Sequence, residues 1–152
     1  MYTIGVISDT HARTIHDIPA RVLKALSETD LIVHAGDFTA MAVLDGLRAI
    51  GEVKAVAGNM DSILLKTRLP QKELFEVAGR TVGLTHGRGG PRGIADRTRD
   101  MFTDVDLIIY GHSHEPWNET NRGTLMFNPG RGGGSFGLIT IEDEIKAEII
   151  SV

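Results

Sequence analysis

The chain has 152 residues, of which 41% are hydrophobic and 24% charged, a composition typical of a globular protein, so we expect residues 1–152 to form a single domain with a buried core. Its net charge of −4 argues against a broad basic surface, and stable nucleic-acid binding is not expected. The sequence has no cysteine, no signal-like segment and no long apolar run, which excludes disulfides and favours the cytoplasm over secretion or a membrane.

The first part of the chain alternates predicted strands and helices. Apolar segments rich in β-branched residues predict strands at 2–8, 31–34 and 53–57. Between the first two strands we predict a helix capped by Asp17 with Pro19 in its first turn, and between the next two a helix over 41–50 that ends at Gly51. The β-α-β-α-β order predicts parallel pairing through right-handed crossovers.

The later part of the chain is richer in strands. Residues 73–77 and 81–85 predict a hairpin around Ala78-Gly79-Arg80, and a helix over 94–102 is expected after Pro91. Further strands are predicted at 107–110, 124–127, 136–141 and 145–152, the last two joined by Glu142-Asp143-Glu144. The fold class is therefore α/β, with two mixed sheets face to face and helices outside.

Potential metal ligands follow five of these strands, each next to a glycine or at a strand end. They occur as Asp9-Thr10-His11, Gly36-Asp37, Gly58-Asn59, His86-Gly87 and Gly111-His112-Ser113-His114. The carboxyl ends of strands gather at one edge of an α/β sheet, so the seven side chains are expected to converge. Carboxylate, amide and imidazole ligands suit Mn²⁺, Fe, Zn²⁺ or Ni²⁺. Seven ligands are too many for one tetrahedral ion but fit two ions that share a carboxylate, a centre that most often hydrolyses at phosphorus.

These five blocks, in this order, resemble the D-x-H, G-D, G-N, H and G-H-x-H signature of the calcineurin-like metallophosphoesterase superfamily. With Asn128-Pro129-Gly130 near the end, the chain is similar to the small prokaryotic phosphodiesterases of that superfamily. The matching blocks lie within residues 4–130. The resemblance implies a four-layer α/β/β/α sandwich of two mixed sheets flanked by helices.

The resemblance also implies roles for the seven ligands. Asp9, His11 and His114 would hold one divalent ion, Asn59, His86 and His112 would hold the second, and Asp37 would bridge them. A hydroxide shared by the two ions would attack a phosphate diester, with Asp37, Asn59 and His86 as the catalytic residues. Mn²⁺ is the favoured ion, with Ni²⁺, Fe²⁺ and Zn²⁺ as alternatives. The expected partner is a small phosphate-ester substrate, and a homo-oligomer is left open.

Two departures from the superfamily pattern bear on the substrate. Many relatives that act on phosphate monoesters carry a histidine after the G-N pair, where this chain has Met60, which has no proton to donate. This favours a phosphodiesterase. Many relatives read H-G-H where this chain has Arg88, and Arg88 and Arg92 lie in a glycine-rich loop. They either bind substrate phosphate or are solvated arginines of a surface loop.

Three further residues are predicted to support the ligands. His34 is interpreted as a neighbour of the ligands or a core residue, Asp61 as a turn cap or an acceptor for a ligand, and Asn128 as part of a turn under the site. Two alternatives to the phosphodiesterase remain. One is a phosphomonoesterase or nucleotide pyrophosphatase, and the other is a non-catalytic scaffold on the same fold.

Overall fold

Strands and helices alternate in the first half of the chain, and strands dominate the second half. The computed structural model describes residues 1–152. Its elements are β1 (Tyr2–Ile7), α1 (Ala20–Ser27), β2 (Leu31–His34), α2 (Met41–Ile50), β3 (Val53–Ala55), α3 (Ile63–Arg68), β4 (Lys72–Val77), β5 (Arg80–Thr85), α4 (Ile94–Arg99), β6 (Leu107–Ile109), β7 (Trp117–Asn121), β8 (Thr124–Asn128), β9 (Ser135–Ile141) and β10 (Ile145–Ser151).

The strands form two mixed five-stranded sheets. The first has the order β10-β9-β1-β2-β3, and the second has the order β4-β5-β6-β8-β7. In the first sheet β1, β2 and β3 are parallel neighbours, whereas β9 and β10 run antiparallel. In the second sheet β5, β6 and β8 are parallel, with β4 and β7 antiparallel at the two edges. Each sheet therefore contains three neighbouring parallel strands whose carboxyl ends lie on one side.

Three apolar layers hold the four-layer sandwich together. One layer packs α1, α2 and α3 on the outer face of the first sheet, a second fills the space between the sheets, and a smaller third packs α4 on the second sheet. Successive residues of the central strands serve different layers: Leu31 and Val33 of β2 face the second sheet, and Ile32 faces the helices. This is why these strands read as continuous apolar runs.

Most predicted elements are confirmed, and the differences are local. Asp17 does not cap α1: it ends a single 3-10 turn, its carboxylate accepts the backbone N–H groups of Arg13 and Thr14, and Pro19 stands at the N-cap position. The predicted segments 53–57 and 94–102 are shorter, ending at Ala55 and Arg99. The hairpin turn is the two-residue Ala78-Gly79, both with positive φ as a type I′ turn requires.

Two elements were not predicted, the helix α3 and the strand β7. No helix of the protein is both long and apolar enough to cross a membrane.

Candidate metal centre

The seven predicted ligands all lie just past the carboxyl ends of parallel strands. Those after β1, β2 and β3 come from the first sheet, and those after β5 and β6 come from the second. The two sheet edges are joined directly, since the His112 backbone N–H donates to Asp9 Oδ2 at 3.0 Å. The expected convergence at one edge is therefore present in the structure.

The backbone at these positions is strained. Five of the nine non-glycine residues with positive φ are predicted ligands: Asp9, His11, Asp37, His112 and His114. A left-handed backbone is uncommon outside glycine, and such residues cluster at functional sites where the surrounding structure holds them. The left-handed turns aim the side chains into the space beyond the strand ends.

The first group of donor atoms is formed by Asp9, His11 and His114. His114 Nε2 lies 3.4 Å from Asp9 Oδ1. Asp9 is completely buried, and its other oxygen, Oδ2, accepts from the Ser8 hydroxyl at 2.8 Å and from the His112 N–H. These two bonds leave Oδ1 directed at the histidines.

The second group is centred on His86 Nε2. From this atom the distances are 3.0 Å to Asn59 Oδ1, 3.2 Å to Asp37 Oδ2 and 3.3 Å to His112 Nδ1. Asp37 Oδ2 also lies 3.8 Å from His11 Nε2 of the first group. The carboxylate of Asp37 therefore stands between the two groups, as a bridging ligand would.

Hydrogen bonds to carbonyl groups determine which ring nitrogen each of two histidines directs into the second group. His86 Nδ1–H donates to the Ala35 carbonyl at 2.7 Å, so Nε2 carries the free lone pair. His112 Nε2–H donates to the Gly89 carbonyl at 2.9 Å, so its lone pair is on Nδ1. In the neutral rings the lone pairs of two imidazoles thus face one amide oxygen and one carboxylate, an arrangement that either a proton on His86 or a bound cation would stabilise.

The charges in the group favour a positive centre. Burial alone would lower the pKa of His86, but its hydrogen bond to Asp37 and the charges of Asp37 and Asp9 raise the pKa above its ordinary value. Burial would raise the pKa of Asp37, yet the contact with His86 and the N–H of Met60 hold it below its usual range. Asp37 is therefore kept as a carboxylate.

Two buried side-chain atoms have no hydrogen-bond partner: Asp9 Oδ1 and His11 Nε2. Leaving a buried polar atom unpaired is unfavourable by about 1–3 kcal/mol, so such atoms in a native protein call for an explanation. Both atoms belong to the first donor group, at the positions where a ligand atom would face an ion. The residues present therefore fit a divalent metal ion of the hard or borderline class.

Two of the glycines that precede ligands are required by close approach. A Cβ at Gly58 would lie 2.1 Å from Asp37 Oδ1, and one at Gly111 would lie 1.9 Å from Ser8 Oγ and 2.8 Å from Asp9 Oδ2. A side chain at either position would displace Ser8 or the backbone of Asp37 as well as a carboxylate. The glycine of each G-N and G-H pair thus makes room for a ligand that comes from another strand.

Asp61 holds the loop that carries Asp37. Its carboxylate accepts backbone N–H groups from Gly58 at 2.7 Å, Thr39 at 2.8 Å and Asp37 at 3.0 Å. The Asp61 N–H also donates to the Gly58 carbonyl at 3.2 Å, so Asp61 caps the turn that begins at Gly58 and is at the same time an acceptor for the backbone of Asp37.

His34 and Asn128 also lie behind the ligands. His34 Nδ1 accepts the Gly36 N–H at 3.1 Å, its Nε2 lies 3.0 Å from the Thr10 hydroxyl, and its ring stacks on Phe38. The Asn128 amide donates to the Gly111 carbonyl at 3.2 Å and to Ser113 Oγ at 3.1 Å. Both residues tie ligand-bearing loops to the sheets and are fully buried.

The two arginines of the glycine-rich loop differ in position. Arg88 lines a cavity that it shares with Asn59 and His86, whereas Arg92 is exposed and does not line that cavity. The structure therefore brings Arg88 to the candidate site and does not bring Arg92 there.

Sequence reasoning missed Arg97, which holds this loop in shape. Its guanidinium donates to the carbonyls of Arg88 at 3.2 and 3.0 Å, of Arg92 at 2.8 Å, and of Gly90. The loop in turn presents the Gly89 carbonyl to His112. The one signal in the sequence was an arginine in the helix directly after a run of glycines, whose carbonyls have few local partners.

Comparison with known proteins identifies the family. The domain described as the calcineurin-like phosphoesterase superfamily domain matches residues 2–142. A probable metallophosphoesterase of Methanocaldococcus jannaschii is 36% identical over 159 residues, covering 98% of this chain and 81% of the relative. A protein of Thermotoga maritima, solved in solution by NMR, is 29% identical with a TM-score of 0.79 and covers 100% of both chains.

More distant structures share the fold. An archaeal phosphodiesterase is 21% identical with a TM-score of 0.79, covering 97% of this chain and 99% of its own. Vps29 of Entamoeba histolytica, solved with Zn²⁺, is 24% identical with a TM-score of 0.75, covering 98% of both chains. At these identities the likeness concerns the fold alone.

Proposed function

The chain belongs to the calcineurin-like phosphoesterase superfamily, and on that premise we propose that it is a two-metal phosphodiesterase. The observation that carries the proposal is the convergence of donor atoms, with Asp9 Oδ1 and His11 Nε2 buried and unpaired and the lone pairs of His86 and His112 directed inward. Family membership and the Asp/His groups imply divalent metal ions, and Mn²⁺ is our choice among them.

The ligand roles in this proposal follow the two donor groups. Asp9, His11 and His114 would hold one ion, Asn59, His86 and His112 the other, and Asp37 both. When bound, such ions lower the pKa of water and offset the charge of the phosphate. The chain's own residues fix the geometry: Asp61 holds Asp37, the Ala35 carbonyl orients His86, and the Gly89 carbonyl orients His112.

Met60 supports a diester rather than a monoester as the substrate. Its backbone N–H donates to Asp37 Oδ1 at 2.8 Å, and the residue is 58% exposed. A thioether there cannot protonate a leaving group, whereas general-acid help is typically worth about 10²–10⁴-fold. Substrates with good leaving groups lose least from its absence.

A non-catalytic scaffold on the same fold is the second candidate. Two observations count against it. Strained left-handed backbone at five ligands and two unpaired buried atoms are unfavourable for folding, and a binding surface has no need of either. The same features are useful in a metal centre. We therefore prefer the enzyme, acting in the cytoplasm on a small phosphate ester.

The test is an activity screen of metal-loaded protein. Bis(4-nitrophenyl) phosphate, 4-nitrophenyl phosphate and nucleotide substrates would be compared with Mn²⁺, Ni²⁺, Zn²⁺ and Mg²⁺ added separately. We expect the diester to be hydrolysed fastest and elemental analysis to approach two ions per chain. No turnover with any ion, together with no bound metal, would leave the scaffold as the better interpretation.

A variant at Met60 tests whether a missing proton donor determines the substrate class. Met60→His puts an imidazole at this position and should raise monoester turnover relative to diester turnover, by about tenfold or more. Ile63→His serves as the matched control, because Ile63 is an exposed apolar residue three positions further along the chain. If the parent already hydrolyses alkyl monoesters as fast as aryl diesters, Met60 does not determine the substrate class.

A further inference from the structure

A cavity of about 500 Å³ opens beside the second donor group. Asn59 and His86 form one wall, and three cationic side chains, Lys66, Lys72 and Arg88, line the rest together with the polar Gln71 and Thr85. None of its lining residues is acidic. The chain as a whole has 16 Lys and Arg against 20 Asp and Glu, so the cavity has the opposite charge from the protein around it.

The three cations come from three different elements and are held differently. Lys72, at the start of β4, is fixed: its Nζ donates to the Met101 carbonyl and lies 4.7 Å from the centre of the Phe102 ring. Lys66, in the last turn of α3, and Arg88, in the glycine-rich loop, form no ion pair with any carboxylate of the chain. Like charges brought together without acidic partners are unfavourable unless an anion joins them.

The positive charge of the cavity exceeds what is needed to bind a simple phosphate diester. A phosphate diester has a single negative charge, and the centre proposed above already supplies divalent ions to meet it. Three further cations next to that centre are suited to a second, more highly charged group, and the guanidinium fork of Arg88 is suited to phosphate in particular. The volume lies within the range of small-molecule sites.

We infer that this cavity binds a second phosphate of the substrate, so that the enzyme selects phosphodiesters that carry an additional phosphate group. The inference rests on the proposed phosphodiesterase function and specifies its substrate class. Lys66 and Arg88 supply the attraction that distinguishes such a substrate from an unphosphorylated diester, and Lys72 adds a fixed charge to the lining of the cavity. The alternative is a set of solvated surface cations without a ligand.

The test uses two substrates that differ in one group: the thymidine dinucleotide with and without a 5′-phosphate. We expect the parent enzyme to prefer the phosphorylated dinucleotide by about tenfold or more in kcat/KM, and Lys66→Ala or Arg88→Ala to bring this ratio toward one. Lys66→Arg should retain the preference. Lys24→Ala, which removes an exposed lysine of α1, is the matched control and should leave the ratio unchanged.

Two readouts separate this inference from the proposed function. Turnover of bis(4-nitrophenyl) phosphate, which has no second phosphate, reports whether the protein is a phosphodiesterase at all. Calorimetric binding of the two dinucleotides to EDTA-treated, dialysed protein reports on the cavity without catalysis. Equal kcat/KM for the two dinucleotides in an active parent overturns the inference, as does equal binding of both to the metal-free parent. A preference that survives in both alanine variants overturns it as well.

Discussion

At the scale of single residues, Asp37 is the predicted ligand that contacts both donor groups and the loops around them. One of its oxygens accepts the Met60 N–H, the other lies between His86 and His11, and its own N–H is held by Asp61. A ligand that serves two ions affects both when it is lost. The remaining ligands each face one donor group, apart from Asp9, whose Oδ1 also lies 3.8 Å from His86 Nε2.

Asp37→Asn is therefore expected to reduce activity more than replacement of any other single ligand. The amide keeps the shape of the side chain but loses the charge, at a loss of several kcal/mol of transition-state stabilisation, or on the order of 100-fold or more in kcat/KM. Steady-state kinetics on folded, Mn²⁺-loaded protein measures this, with the exposed Asp45→Asn as control. Activity within about tenfold of the parent would mean that Asp37 is not the bridge.

The buried His34 makes stability depend on pH. Burial, reinforced by the charge of His86, lowers the pKa of His34 to about 3. In the unfolded chain its pKa is near 6.5, so below that pH His34 is protonated in the unfolded state but stays neutral in the folded state. This residue's contribution to the free energy of unfolding is thus fully present above pH 6.5 and falls as the pH drops toward 3.

Urea unfolding of the metal-free protein at pH 7 and pH 5 measures this effect. The parent should lose about 2 kcal/mol from His34 over this interval. His34→Gln cannot titrate and should lose correspondingly less, although it will be less stable at pH 7. His16→Gln, at an exposed histidine, should behave as the parent does. An identical pH response of His34→Gln and the parent would contradict the argument.

At the scale of elements, buried apolar runs and alternating patterns predicted most strands, and prediction failed at two segments that show neither pattern. The strands β1, β2 and β6 consist mostly of buried apolar residues and were predicted. The strand β7 is polar, lies at the edge of the second sheet and pairs only with β8, so nothing in its composition indicates a strand. The helix α3 has only six residues and leaves Ile63 exposed, so it has no clear apolar stripe.

The ligands could be predicted from the sequence because their motifs are local, whereas the groups that orient them could not. The carbonyls of Ala35 and Gly89 orient His86 and His112 from segments 51 and 23 residues away along the chain. Every residue has a backbone carbonyl, so a sequence motif cannot indicate which carbonyl orients a ligand. The role of Arg97 is hidden for the same reason, since all its partners are carbonyls.

Arg97→Ala should loosen the glycine-rich loop and with it the Gly89 carbonyl that orients His112. Loss of a group that orients a metal ligand typically lowers metal affinity or activity about 10–100-fold, and we expect a change in the lower part of this range. Arg97→Lys should not restore the parent's values, because an ammonium cannot reach carbonyls on both sides as the planar guanidinium does.

The informative measurement for Arg97 is the Mn²⁺ dissociation constant, beside kcat/KM and thermal stability. A merely structural role would lower stability and leave Mn²⁺ affinity of the folded protein as it is. Arg21→Ala, an exposed arginine of α1, provides the control. Unchanged Mn²⁺ affinity in Arg97→Ala would refute the positioning role.

At the scale of the whole molecule, the candidate centre joins the two sheets. Asp9, Asp37 and Asn59 follow strands of the first sheet, and His86 and His112 follow strands of the second. An ion held by both sets of ligands binds the folded chain and has no comparable site in the unfolded one. Metal binding should therefore stabilise the entire sandwich and not only the loops.

Mn²⁺ at about 100 times its dissociation constant should raise the free energy of unfolding by about 2.7 kcal/mol, or the melting temperature by roughly 5–10 °C. Calorimetry of EDTA-treated and Mn²⁺-loaded protein measures the shift, and Asp37→Asn should show less of it. We also expect a single thermal transition, because both sheets share the central apolar layer. The same experiment would test the prediction that residues 1–152 form one domain. A melting temperature that does not change when Mn²⁺ is added would contradict the proposed metal centre.

The position of β1 in the first sheet leaves one of its edges unpaired in the nascent chain during translation. In the finished protein β1 is flanked by β2 on one side and β9 on the other, so its second partner is formed by Ser135–Ile141. A ribosome that adds about 5–20 residues per second needs on the order of ten seconds to reach that segment. Throughout this time one edge of a strongly apolar strand is open to pairing with another chain. We therefore expect this edge of β1 to be a site of aggregation during translation, where a chaperone that covers strand edges would act.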